Sequence, residues 1–126
     1  MPHEKKDDAA FLLDMLQSAR VIARYVHGRV RGDIDADDML RDALERRIEI
    51  IGEAARGLSD ALRDSHPEIP WKKITATRHI LAHDYYDVDR DILWRIATIH
   101  VPEMVGQLTP LLPPLPPDPD PEPPQG

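Results

Sequence analysis

Leu44, Ile48, Ile51, Ala55 and Leu58 recur in alternating steps of four and three. That spacing gathers apolar side chains on one stripe of an α-helix, and it would scatter them over both faces of a β-strand. A chain built on such seams has to pack helix against helix. The same period runs through Phe11, Leu12, Met15, Ala19, Ile22, Ala23 and Val26. It predicts a first helix from about Asp8 to Tyr25, with Asp7 or Asp8 as N-cap. The second helix is expected from Asp35–Asp38 to Leu58 or Ser59, and a short third from Trp71 to about His83. Asp87 or Asp89 caps a fourth that reaches about Leu111. The expected fold is all-α, an up-and-down bundle of four to five helices. Aromatic residues make up only 5% of the chain, which suits this class better than a β-sandwich.

The connections carry their own signals. Gly28 and Gly32 bracket what reads as a polar loop, and residues 66–70, with two prolines, make a rigid connector because a residue before proline leaves the helical region. Residues 84–89 read as a turn. Arg41, Asp42, Glu45, Arg46 and Glu49 lie opposite the second helix's seam and read as a solvated stripe. Gly52 and Gly57 each cost a helix about 1 kcal/mol relative to alanine, so close helix approach explains them better than chance. The last helix is apolar around most of its circumference and contains Pro102, which should bend it or remove a backbone hydrogen bond. A helix so apolar needs a second partner surface. In a domain this small, that is expected to be another copy of the chain, giving a C2 homodimer through the third and fourth helices. Trp71 and Trp94 are assigned to the core or that interface. Nine of the last seventeen residues are proline, so the domain is drawn as residues 1–112, followed by a disordered, polyproline-like tail over 113–126. The tail reads as a solubilising segment or a ligand for a proline-reading module.

With no cysteine, disulfides, thiolate metal sites and a cysteine nucleophile are excluded. No signal peptide or membrane-spanning run is legible, and the expected location is the cytoplasm. The formal charge of −7 argues against a nucleic-acid partner, but its distribution matters more. Asp33, Asp35, Asp37 and Asp38 are read as sitting in one loop and the tail holds three more acids, while Lys72, Lys73, Arg78, His79 and His83 fall together.

That basic stretch carries the chemistry. Residues 78–85 read Arg-His-Ile-Leu-Ala-His-Asp-Tyr, an R-x4-H-x-Y pattern of Arg78, His83 and Tyr85. The R-x4-H pair alone recurs at Arg95 and His100, but adding the tyrosine lowers the chance expectation to roughly one in seventy. RNA supplies its own nucleophile, the 2′-hydroxyl, so its cleavage needs no metal where a protein provides proton transfer and charge stabilisation. Histidine titrates near neutrality and serves as general base or acid. A guanidinium holds phosphate oxygens in a fork and offsets the charge growing on them. One such histidine is short for a reaction that wants both base and acid, and a symmetric dimer bringing two copies into one cleft removes the shortage. Bland roles stay open beside these: an Arg78–carboxylate pair, His83 against a helix dipole, Tyr85 and Tyr86 packing the turn. His79 and His83 have the i, i+4 spacing of a zinc pair, but only Asp84 or Asp87 offers a third ligand, so no metal and no cofactor is assigned. Glu53 could orient Arg78 from the second helix.

Residues 46–55, Arg-Arg-Ile-Glu-Ile-Ile-Gly-Glu-Ala-Ala, resemble a hallmark of the HepT-like branch of the HEPN superfamily. So do Ile69-Pro70-Trp71 followed by residues 78–89, then residues 92–94 and Pro102. The resemblance runs from about Asp8 to Leu111. It implies a helical homodimer acting as a ribonuclease toxin, paired with an MNT-type nucleotidyltransferase antitoxin. It further implies that Arg78 contacts the scissile phosphate, that His83 transfers protons, and that Tyr85 is the tyrosine such partners modify with AMP. His79, Glu53 and Asp84 are supporting candidates. Two positions depart from the family pattern: His79 stands where asparagine is common after the motif arginine, and Thr77 where methionine is common before it. The alternative reading is a non-catalytic dimeric scaffold that serves mainly as partner and substrate of the nucleotidyltransferase.

Overall fold

In the computed structural model, which describes residues 7–83 and 89–112 and of 78–83 the backbone alone, the long helices begin where short acidic side chains can cap them. The Asp7 carboxylate accepts from the Ala10 amide at 2.8 Å and opens α1, Asp8–Val26. Asp37 accepts from the Leu40 amide at 3.0 Å and opens α3, Asp38–Gly57. Each such bond satisfies an amide that the first helical turn leaves without a partner.

The structure corrects the expected helix number. The segment read as a polar loop holds a short helix, α2, Arg31–Ala36. Gly28 makes the reversal that precedes it, at φ 72°, and the Asp33 carboxylate accepts from the Val30 amide at 2.8 Å. A second short helix, α4, Asp60–Ser65, follows α3 and is capped by Ser59, whose Oγ accepts from the Leu62 amide at 3.1 Å. Both are single-turn pieces with too few residues to show a hydrophobic period, which is why the pattern did not declare them. With α5, Trp71–His83, and the closing rod, six helical bodies stand among the described residues rather than four or five.

The closing rod shows what Pro102 does. It begins as α6, Arg90–Arg95, capped by the Asp89 carboxylate on the Asp91 and Ile92 amides. It widens to a π turn over Ile96–His100 and continues as α7, Val101–Leu108, with a 3₁₀ turn to Leu111. Proline has no N–H to donate and its ring crowds the carbonyl four residues back, that of Thr98. The wider turn relieves that crowding, and the Thr98 hydroxyl donates to the Trp94 carbonyl at 2.7 Å.

α1 and α3 form the principal pair, and α5 packs on α3. Met15, Ile22, Leu44, Ile48, Leu93 and Leu108 are almost wholly buried between α1, α3 and the closing rod. Gly57 lies against α1: a Cβ there would come within 2.4 Å of the Phe11 ring. The supposed solvated stripe of α3 also needs correction at two places. Arg41 reaches back to the C-terminus of α2 and donates to the carbonyls of Ile34 at 2.6 Å and Asp35 at 3.1 Å. Burial, with Asp42 and Glu49 adding like charge, pushes the Glu45 carboxyl above the usual range. Trp71 is buried and Trp94 packs partly buried on the core. No helix among the described residues is long and apolar enough to cross a membrane. The expected tail, residues 113–126, lies outside the described residues.

Candidate active site

α5 begins at the proline connector. Its first residue, Trp71, is fixed twice: its amide donates to the Ile69 carbonyl at 2.8 Å and its indole N–H to the His66 carbonyl at 3.0 Å. The Ile74 amide then donates to the Pro70 carbonyl at 3.1 Å, the first i to i−4 bond of the helix. Thr75 and Thr77 return their hydroxyls to backbone carbonyls of the same helix, so neither competes for a ligand from the solvent side.

From that anchor α5 runs unbroken through Arg78 and His79 to His83, the last residue described before position 89. Four residues stand between Arg78 and His83, a step of five positions and about 7.5 Å along the axis at the normal helical rise. The register puts positions 72, 76, 79 and 83 on one stripe, and position 78 about a third of a turn to its side. Asp84, Tyr85 and Asp87 lie outside the described residues, as do the side chains of Arg78, His79 and His83. Asp89 caps the start of the closing rod.

Glu53 stands on α3, the helix against which α5 packs. Its described ion-pair partner is on its own helix, Arg46, at 3.9 Å, and Arg46 lies closer to Glu49, at 3.3 Å. Among the described residues no three His, Cys, Asp or Glu side chains gather within reach of one metal ion. Between α5 and the closing rod lies a groove of about 320 Å³ lined by Ile74, Thr77, Ile92, Ile96, His100 and Met104, largely apolar.

The charge around α5 is better sorted than the sequence total suggests. Asp35 receives Arg31 at 3.0 Å and Arg90 at 3.1 Å, and those guanidiniums hold its carboxyl below the usual range. Arg31 also pairs with Asp91 at 2.6 Å, Arg29 with Asp37 at 3.6 Å, and Arg41 with Asp38. The acidic segment is therefore largely spent on its own arginines and on helix caps. Lys72, at the head of α5, instead shares a groove with Arg56 of α3 and Arg63 of α4. The two arginines were not signalled by sequence: they lie on separate helices and only folding brings them beside the lysine.

Residues 15–110 match the family model described as "Ribonuclease HepT-like". The chain is 36% identical over 100 residues to a protein of Methanocaldococcus jannaschii named "Putative RNase", covering 79% of this chain and 92% of that one. It is 29% identical over 103 residues to the "Probable ribonuclease HepT" of Thermococcus cleftensis, covering 82% and 94% respectively. No solved structure matches at a significant level.

Proposed function

The chain belongs to the HepT-like ribonuclease family, and from that premise we propose that it is a metal-independent endoribonuclease using Arg78 and His83. The observation that carries the reading is the coincidence of the family match with a single helix, α5, whose described backbone bears both motif residues. In the proposed reaction the 2′-hydroxyl attacks the adjacent phosphorus and the bond to the 5′-oxygen breaks. A 2′,3′-cyclic phosphate and a 5′-hydroxyl end result. One His83 accepts the proton of the 2′-hydroxyl, and a protonated His83 from a second copy delivers one to the leaving oxygen. Arg78 binds the non-bridging oxygens as charge grows on them. The working unit is therefore a homodimer, and the site is expected in the cytoplasm, where RNA is the substrate.

Control belongs to the same segment. A nucleotidyltransferase antitoxin of the MNT type is the proposed partner, and it adds AMP to Tyr85, two residues beyond His83. The added phosphate repels the RNA backbone and the nucleoside occludes the cleft.

The decisive experiment is RNA cleavage by the purified protein in excess EDTA, beside His83→Ala prepared identically. Intact mass is measured first, so that a modified Tyr85 is not mistaken for an inactive enzyme. Cleavage by the wild type that leaves cyclic-phosphate ends and falls at least a hundredfold in the variant is expected. Equal cleavage by both would trace the activity to a contaminant. No cleavage by unmodified wild type would leave the scaffold reading in its place.

A further inference from the structure

Three cations from three helices meet at one groove of about 430 Å³: Arg56 from the end of α3, Arg63 from α4 and Lys72 from the first turn of α5. Thr75 and Ala76 complete its lining, and no carboxylate takes part in it. Arg63 bonds Asp60 at 2.9 Å, an i, i+3 surface pair whose acid is 91% exposed. Such a pair is weak and leaves most of the guanidinium's donors unused. Arg56 and Lys72 have no ion-pair partner among the described residues, and both are exposed. Asp60 and Asp8 lie within the electrostatic reach of Arg63, but neither acid lines this groove, which is therefore a locally positive surface in a chain of net charge −7. An adjoining groove of about 730 Å³ shares Arg63, Lys72 and Thr75 and adds Lys73, with Asp60 and Asp64 in its lining.

The position of this groove points to what fills it. Lys72 and Ala76 stand on the α5 stripe that continues through positions 79 and 83. From Lys72 to His83 is about 16 Å along the helix axis. An anion held at the groove is therefore in line with position 83, a few nucleotides upstream or downstream of it, with position 78 to the side of that line. We propose that Arg56, Arg63 and Lys72 form a phosphate-binding track that holds the backbone of the RNA substrate and leads it along α5 toward Arg78 and His83. The track rests on the ribonuclease reading above. It binds phosphates without reading bases, because charged side chains on the backbone carry no sequence information.

The test is binding of a short fluorescent 2′-O-methyl oligoribonucleotide, which lacks the nucleophile and stays intact, followed by anisotropy across a salt series. Wild type is compared with Arg56→Gln/Lys72→Gln and with Arg24→Gln/Arg95→Gln, which removes the same charge from exposed positions outside the groove. The groove variant should weaken binding about tenfold and lower the slope of log Kd against log salt by about 1.4, for two phosphates released from contact. The control should stay within about twofold of wild type. Unchanged binding by the groove variant would overturn the track and turn its cations toward an acidic protein surface. An equal loss in the control would reduce the effect to net charge. Failure of wild type to bind RNA at all would remove the ribonuclease reading first and the track with it, a result read without either variant.

Discussion

At the scale of single residues, the caps were the most legible features and the distant polar pairs the least. Asp7 and Asp89, each one of two candidates in the sequence, are recognisable because a cap and its amide lie three residues apart at most, whereas Asp37 was only one of several acids at an expected helix start. Asp8 is different. Its carboxylate accepts from the Ser59 amide at 2.8 Å and the Ser59 hydroxyl at 2.6 Å, fifty-one residues away, and pins the start of α1 to the cap of α4. Those bonds hold the Asp8 carboxyl below its ordinary 3.8, with Ser59's hydroxyl the largest cause. A depressed carboxyl stabilises the fold above its unfolded value and loses that contribution as pH falls through the lower folded value. Asp8→Asn should therefore lower the melting temperature at pH 7 by a few degrees, corresponding to no more than about 1 kcal/mol after solvent screening. The difference from wild type should shrink as pH is taken from 5 to 3. A gap that persists undiminished at pH 3 would show that the amide substitution acts through packing and not through the charge.

At the scale of elements, the long helices were written in the apolar period and the short ones were not. α1 and α3 appear within a residue or two of their expected limits, because each carries enough turns to show a face, and α5 begins where the proline connector placed its start. α2 and α4 depend on capping and on tertiary partners such as the Arg41 guanidinium, which no local pattern contains. Pro102 announced a defect but not its form, since a kink, a lost bond and a π turn all answer the same missing N–H. Of the two seam glycines, Gly57 is explained by the Phe11 ring, which occupies the space its side chain would need. Alanine at Gly57 gains up to about 1 kcal/mol in helix propensity, less at a helix's last residue. It must also displace an aromatic ring from its packing. Displacement should win, so that Gly57→Ala lowers stability by about 1 kcal/mol in urea denaturation. The same change made on a Phe11→Leu background should cost less than half as much, because the shorter side chain leaves room. Additive losses in that cycle would mean that the ring and the glycine do not meet in solution.

At the scale of the whole molecule, the motif's residues were legible while its surroundings were not. Arg78 and His83 share one short window, whereas the arginines beside Lys72 come from helices sixteen and nine residues earlier in the chain. The apolar excess of the last helix was also legible, and the structure shows where it goes. Leu93, Ala97, Val101, Met104 and Leu108 are buried within the chain's own core, but Ile92 and Ile99, two turns apart, stay 36% and 48% exposed. The homodimer of the proposed chemistry would cover these two side chains if it formed on this face, and it would supply the second histidine that the chemistry calls for. Wild type is expected to sediment at twice the chain mass at micromolar concentration, and Ile99→Glu as a monomer, since a buried unpaired carboxylate on each side of a two-fold contact opposes association. Cleavage should fall with dimer content, and the loss should be recovered in part at high protein concentration. A variant that sediments like wild type would move the interface off this face. A monomer that cleaves at the full rate would leave the face as the interface and require one chain to supply both the base and the acid, with His79 then the nearest candidate for the second proton carrier.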